Sequence, residues 1–125
     1  MFAPLELRIP HTHSMDEWAF VISGQVQFYV YAGGNNYSIS TLGPGDLMFA
    51  PRGRPHYLYN PSGTVPLVGY FVVNSGTFTN FELVKMLGTV EPAVAAASFG
   101  ANESFMATID YQKFGVVPVN TSLVY

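Results

Sequence analysis

The chain contains no cysteine. Disulfide frameworks, zinc–thiolate centres and thiol nucleophiles are therefore excluded, while the redox compartment stays unread. Charge is nearly as scarce. Asp, Glu, Lys and Arg make up 10% of the residues, against about a quarter in an average soluble domain. Five Lys and Arg against eight Asp and Glu leave a formal net charge of −3. That balance argues against a nucleic-acid surface, and no basic amphipathic segment suggests a membrane-surface helix. No run reaches the ~20 apolar residues of a membrane span. The opening MFAPLELRIP lacks the apolar core of a signal peptide.

What is present points to strands. Hydrophobic residues reach 49% and aromatics 15%, with 12 Gly and 9 Pro, in a chain of 125 residues. This composition suits one folded domain of short strands and many turns rather than a disordered chain. Three formal glycosylation sequons, at Asn36, Asn102 and Asn120, lean slightly towards an extracellular setting.

The first seventy-odd residues read as strands divided by turns. Trp18 to Ile22 is an apolar run. Gln25 to Tyr31 alternates, with Val26, Phe28 and Val30 on one face. Gly33-Gly34-Asn35-Asn36 turns a hairpin into Tyr37 to Leu42. Leu47 to Ala50, His56 to Asn60 and Val65 to Val73 follow, the last long and apolar and expected to be buried. The pattern then changes. Phe81, Leu83, Val84 and Leu87 stand at helical spacing. Pro92 opens an alanine-rich helix that Gly100 closes, and a further short helix is expected within Glu103 to Ile109. The last ten residues read as an arm.

The chemistry gathers around three histidines, His11, His13 and His56. Residues i and i+2 of a strand share a face, so His11 and His13 project two imidazoles side by side. Ser14-Met15-Asp16 can bend the chain and return Glu17 to the same place, while His56 opens a strand after a Pro/Gly turn. Three imidazoles and a carboxylate suit divalent Mn, Fe, Ni, Cu or Zn. A His-x-His pair alone is weak evidence and more often marks ordinary core or surface histidines; the flanking residues carry the argument further.

His11-x-His13-xxx-Glu17-xxxxxx-Gly24 resembles the first signature of the cupin family, and Gly45-xxxxx-Pro51-x-Gly53-xx-His56-xxx-Asn60 resembles the second. The resemblance implies an all-β fold, a double-stranded β-helix of the jelly-roll type with short C-terminal helices. It implies one cupin domain over residues 1–125, with the barrel at roughly 5–75 and a helical extension at roughly 77–110. It further implies one metal ion bound by His11, His13, Glu17 and His56 inside the barrel. Asn60 reads as a strand-end residue rather than a ligand.

A narrower similarity, over roughly residues 4–100, is to one domain of the oxalate decarboxylase and germin-like group. It rests on Leu7-Arg8, the histidine motif with Trp18-Ala19, Leu42-Gly43-Pro44-Gly45-Asp46, Pro55-His56, Gly76-Thr77-Phe78-Thr79, Glu91-Pro92 and Ser98-Phe99-Gly100. The similarity implies Mn2+ as the ion, a small carboxylate such as oxalate as substrate, and dioxygen as a co-substrate to consider. It implies that Arg8, three residues before His11, is catalytic and holds the substrate carboxylate. Strand alternation alone would put Arg8 on the face opposite His11, unless Pro10 or a bulge re-aims it. With a divalent ion, Arg8 and Glu17, the filled site would carry about +2, which suits a small anion.

Two departures stand against that similarity. The family's lid supplies a proton-transferring Glu, whereas Phe78-Thr79-Asn80-Phe81 is shorter and has none; Glu82, the nearest carboxylate, is expected on the next helix and solvated. Only ten residues precede His11, so the first strands are expected to be short and a sheet edge exposed. With Trp18, Phe20 and Ile22 alternating onto one face, a homodimer or higher oligomer is expected. Another metal-dependent oxygenase or isomerase, and a non-catalytic metal- or ligand-binding module of the storage type, are the alternative functions.

Overall fold

The computed structural model describes residues 1–112 and 115–119. Nine strands run β1 Glu6–His13, β2 Glu17–Ser23, β3 Val26–Gly33, β4 Asn36–Leu42, β5 Leu47–Ala50, β6 His56–Tyr59, β7 Val68–Val73, β8 Asn80–Glu82 and β9 Val116–Pro118. Three helices, α1 Leu83–Leu87, α2 Pro92–Phe99 and α3 Glu103–Met106, lie between β8 and β9.

The strands form two antiparallel sheets that face each other as a jelly roll. The larger has the order β4-β3-β6-β1-β8, with β9 also paired to β1. The smaller is β5-β2-β7, with β2 as its central strand among the described residues. Alternation drives the packing. Ala19 and Val21 of β2 and Met48 and Ala50 of β5 point inward, against Val26, Phe28 and Leu58 of the large sheet. Phe2 and Leu67 close one end through an isolated bridge. Each such apolar side chain contributes roughly 1.5–3 kcal/mol relative to exposure. Gly24, after β2, has φ of 81°, and a Cβ there would meet the Pro66 carbonyl oxygen at 2.5 Å, so the turn into β3 requires glycine.

Three expectations need correction. The run through Val73 is not buried: Tyr70, Phe71 and Val72 are all more than 40% exposed. The reason is topological, since β7 is an edge strand of a three-stranded sheet whose outer face is uncovered among the described residues. The helical spacing at residues 80–87 conceals a strand: Asn80, Phe81 and Glu82 pair with β1, and the helix starts only at Leu83. The C-terminal arm is in part a sheet element, because β9 adds to β1 beside Glu6, Leu7 and Arg8. Residues 120–125 of that arm, with the Asn120 sequon, lie outside the described residues.

The helices follow their local signals. Pro92 sits in the first turn of α2, and Gly100, at φ 62°, closes it with its N–H directed at the Ala96 and Ala97 carbonyls. Asn102 caps α3 by accepting from the Phe105 N–H at 2.8 Å. Ala95, Ala96 and Met106 form a small second core between α2 and α3.

Candidate metal centre

The site straddles the two sheets. His11 and His13 rise from β1 and His56 from the first position of β6, directly across from His11 in the register. Glu17 comes from the first position of β2 in the opposite sheet, on the inward face that also carries Ala19 and Val21. Ring centroids are 4.3 Å apart for His11 and His56, 4.8 Å for His13 and His56, and 5.7 Å for His11 and His13. All three side chains are buried, and one nitrogen from each lies within 4.8 Å of the other two.

Each imidazole is oriented in the same way. The Nδ1 of His11, His13 and His56 lies 2.8, 2.7 and 2.8 Å from the carbonyl oxygens of Ile9, Met15 and Arg54. A carbonyl only accepts, so Nδ1 carries the proton and donates it. In the neutral ring the lone pair is then on Nε2, the atom left for a ligand bond. The buried Nε2 atoms of His13 and His56 have no hydrogen-bond partner. The Glu17 Oε2 approaches His13 Nε2 to 3.2 Å without hydrogen-bond geometry. Orphaned, converging imidazole lone pairs of this kind could hold a divalent metal ion, with the Glu17 carboxylate beside them. A fully hydrogen-bonded core would not leave them so.

The electrostatics favour the neutral form of two of the three imidazoles. Burial pushes His11 down to about 3, and the nearby His56 and Arg8 charges push the same way. Burial also lowers His56. His13 moves in the opposite direction because the Glu17 carboxylate favours its protonated form. Two imidazoles thus favour the neutral form that can ligate, whereas on His13 a metal would compete with a proton that the neighbouring Glu17 carboxylate stabilises on the ring.

A β-bulge answers the question of where Arg8 points. The pairing of β1 with β6 shifts register between Arg8 and His11, across Ile9 and Pro10. The extra residue brings Arg8 onto the side of the histidines, and it lines a cavity of about 280 Å3 together with His11, Glu17, Phe71 and Phe78. Phe78, from the segment equivalent to the lid, stands 6.1 Å from the His13 ring centroid to centroid.

Glu82 is where the sequence reading errs most. It ends β8 opposite His11 and only caps the helix, its side chain 5% exposed. Its Oε1 lies 3.4 Å from Arg8 Nη2 and also accepts from the Asn80 amide. Arg8 Nη1 donates to the Gly115 carbonyl at 3.3 Å. A residue two positions past a loop gives no sequence signal of this, because the pairing depends on β8 adding to β1.

A second feature escaped the sequence reading. Asp16, in the bend between the two halves of the first motif, accepts from the Arg52 backbone N–H at 2.9 Å and from its Nη2 at 3.0 Å. The Asn74 amide donates to Oδ2 of the same carboxylate, the oxygen that also accepts from Arg52 Nη2, at 2.8 Å. Gly53 N–H also donates to the His13 carbonyl at 2.9 Å. Together these contacts staple the loop bearing His13 and Glu17 to the turn that launches His56. Asn60 behaves as expected of a structural residue, its amide donating to the Ala3 and Val65 carbonyls.

The fold resembles that of solved oxalate decarboxylases. A single-residue variant of the Bacillus subtilis enzyme superposes with a TM-score of 0.86 at 23% identity, over 94% of this chain and 31% of that one. The Bacillus subtilis enzyme carries Mn(II) centres. In sequence, that oxalate decarboxylase is 27% identical over 109 residues, covering 85% of this chain and 28% of the relative. An acireductone dioxygenase of Gluconobacter oxydans is 35% identical over 72 residues, 57% of this chain and 38% of the relative. The chain therefore spans well under half the length of these relatives. The cupin family profile matches residues 1–119, which takes in both histidine segments, both sheets and all three helices, and the chain belongs to the cupin family.

Proposed function

We propose that the chain is a metal-dependent cupin acting on a small carboxylate. His11, His13, His56 and Glu17 hold one divalent ion, Mn2+ being the first to test, and Arg8 receives the substrate carboxylate. The observation that carries the reading is the set of three buried imidazoles, each fixed through Nδ1 to a backbone carbonyl, with Nε2 turned to a common centre. The Mn(II) centres of the Bacillus subtilis relative support the choice of ion. When bound, the ion would supply Lewis-acid polarisation of a chelated carboxylate.

The chain's own residues divide the remaining work. The Arg8 guanidinium faces the cavity and orients one end of the anion through its N–H groups. Phe78 and Phe71 make the rest of the wall apolar, which strengthens the interaction between Arg8 and its ligand. Of the residues lining the cavity, Glu17 alone carries a carboxylate, and it is committed to the donor set. Decarboxylation to formate needs a proton delivered to the carbon that loses CO2. The lid segment offers Phe78 in place of an acid. The reading therefore favours oxidation of the carboxylate, or another dioxygen-consuming reaction, over decarboxylation. The similarity to an acireductone dioxygenase supports that second form.

The test is elemental analysis and an oxalate assay on one sample, scoring CO2, formate and peroxide. One divalent ion per chain with peroxide in excess of formate is expected. Arg8→Lys should keep the metal and lose at least tenfold in turnover, since an ammonium cannot reproduce the guanidinium fork. Rapid formate production, or full turnover by Arg8→Lys, would refute the assignment of these roles.

A further inference from the structure

Arg8 does not face the cavity alone. Behind it lies Glu82, a carboxylate with 5% exposure, within 3.4 Å of its Nη2. The position is built rather than incidental. β8 adds to β1 with Glu82 opposite His11, and the Asn80 amide on the same strand donates to Glu82 Oε1. The Gly115 carbonyl takes Nη1 of the same guanidinium. A carboxylate entering the cavity would share Arg8 with a carboxylate already in place.

The consequence is one of charge. A divalent ion, Arg8 and Glu17 together carry about +2, and Glu82 reduces this to about +1 in a site walled by Phe71 and Phe78. A dianion would be left over-compensated, with its second charge poorly screened in a half-enclosed pocket. A monoanion of the same size would be matched.

We propose that Glu82 is a specificity-determining residue: by offsetting Arg8, it sets the pocket to small monoanions, such as 2-oxo or 2-hydroxy monocarboxylates, in preference to dianions such as oxalate. The inference rests on the carboxylate-binding reading above and narrows it. Glu82 does not touch the substrate; it acts through Arg8.

Calorimetric titration of the manganese-loaded protein with oxalate and with glyoxylate tests this. The two ligands are similar in size and both chelate, but they differ by one charge. Glu82→Gln should tighten oxalate at least tenfold and change glyoxylate less than threefold. The double variant Arg8→Gln/Glu82→Gln removes both charges at once. It should weaken both ligands yet return their ratio to within threefold of wild type, and it serves as the decisive protein if the single variant fails to fold. An oxalate-to-glyoxylate ratio unchanged in folded Glu82→Gln overturns the inference. So does a ratio displaced more than tenfold in the double variant. If the preference shifts as expected while neither anion is turned over, the inference stands and the catalytic reading falls.

Discussion

Acid should destabilise the metal-free protein through its histidine cluster, and the structure fixes both sign and size. His11 is held at about 3 in the folded chain by burial beside His56 and Arg8, against about 6.5 when unfolded. Between those values the unfolded state binds a proton that the folded state refuses. Stability therefore rises with pH across the window and is lost as pH falls through it. From pH 6.5 to 4.5 one such histidine costs about 2 kcal/mol, because the unfolded side chain, half protonated at the start, titrates while the folded one remains neutral. His56, lowered by burial, adds loss of the same sign. His13 is raised by Glu17, and that contribution is already complete below about 6.5, so it does not offset the loss in this window. Urea unfolding in the presence of a chelator, at pH 6.5 and 4.5, should show a fall of about 2 kcal/mol or more. His11→Gln should remove about half of it or more. Saturating Mn2+ should restore stability at pH 6.5 and do so progressively less towards pH 4.5, because protons compete for the same nitrogens. Equal stability at the two pH values, or an undiminished slope in His11→Gln, would refute the assignment of the cluster as buried and neutral.

Two further outcomes follow from contacts outside the donor set. Asp16→Ala should lower metal affinity about tenfold with the fold intact, as loss of outer support usually does; isothermal titration with Mn2+ checks it, and unchanged affinity would show that the histidine loops hold their geometry without the staple. The outer face of the β5-β2-β7 sheet carries Trp18, Phe20, Ile22, Leu47, Phe49, Tyr70 and Val72 and no charged side chain. Two such faces would bury about 1,200 Å2 between them, the lower bound of a standard interface, so light scattering should return a homodimer that Phe49→Glu dissociates, and a 13.7 kDa monomer at high concentration would refute the pairing.

The convergence of the three histidines was legible because its signal is local. His11 and His13 share a strand face by alternation, and Gly53, three residues before His56, has φ of 72°, the turn geometry that its glycine implies. The same locality explains the correct placement of α2, whose Pro92 and Gly100 state its two ends. The exposure of β7 was not legible. An apolar run has the same composition whether it lies in the middle of a sheet or on an edge whose outer face is bare. Here the small sheet has three strands, so Tyr70 and Val72 face outward with nothing above them among the described residues.

Arg8 and Glu82 show where local reading stops. Strict alternation places Arg8 away from His11, and only the bulge across Ile9 and Pro10 turns it to the cavity. Pro10, which lacks an N–H for the ladder, is the one residue of that stretch that hints at the irregularity. Glu82 offers no such hint. Its spacing from Leu83 and Leu87 fits a solvated helix, and a carboxylate is seldom fully buried unless paired. The pairing partner is 74 residues away in sequence. It becomes a neighbour only because β8 folds back along the free side of β1, beyond the segment where β9 pairs. Strand pairing of this kind follows from which edge of β1 remains open after β6 has joined it, a property of the assembled sheet and of no window of sequence. The candidate donors are therefore readable from a motif, while the placing of Glu82 against Arg8 depends on a strand addition that no motif encodes.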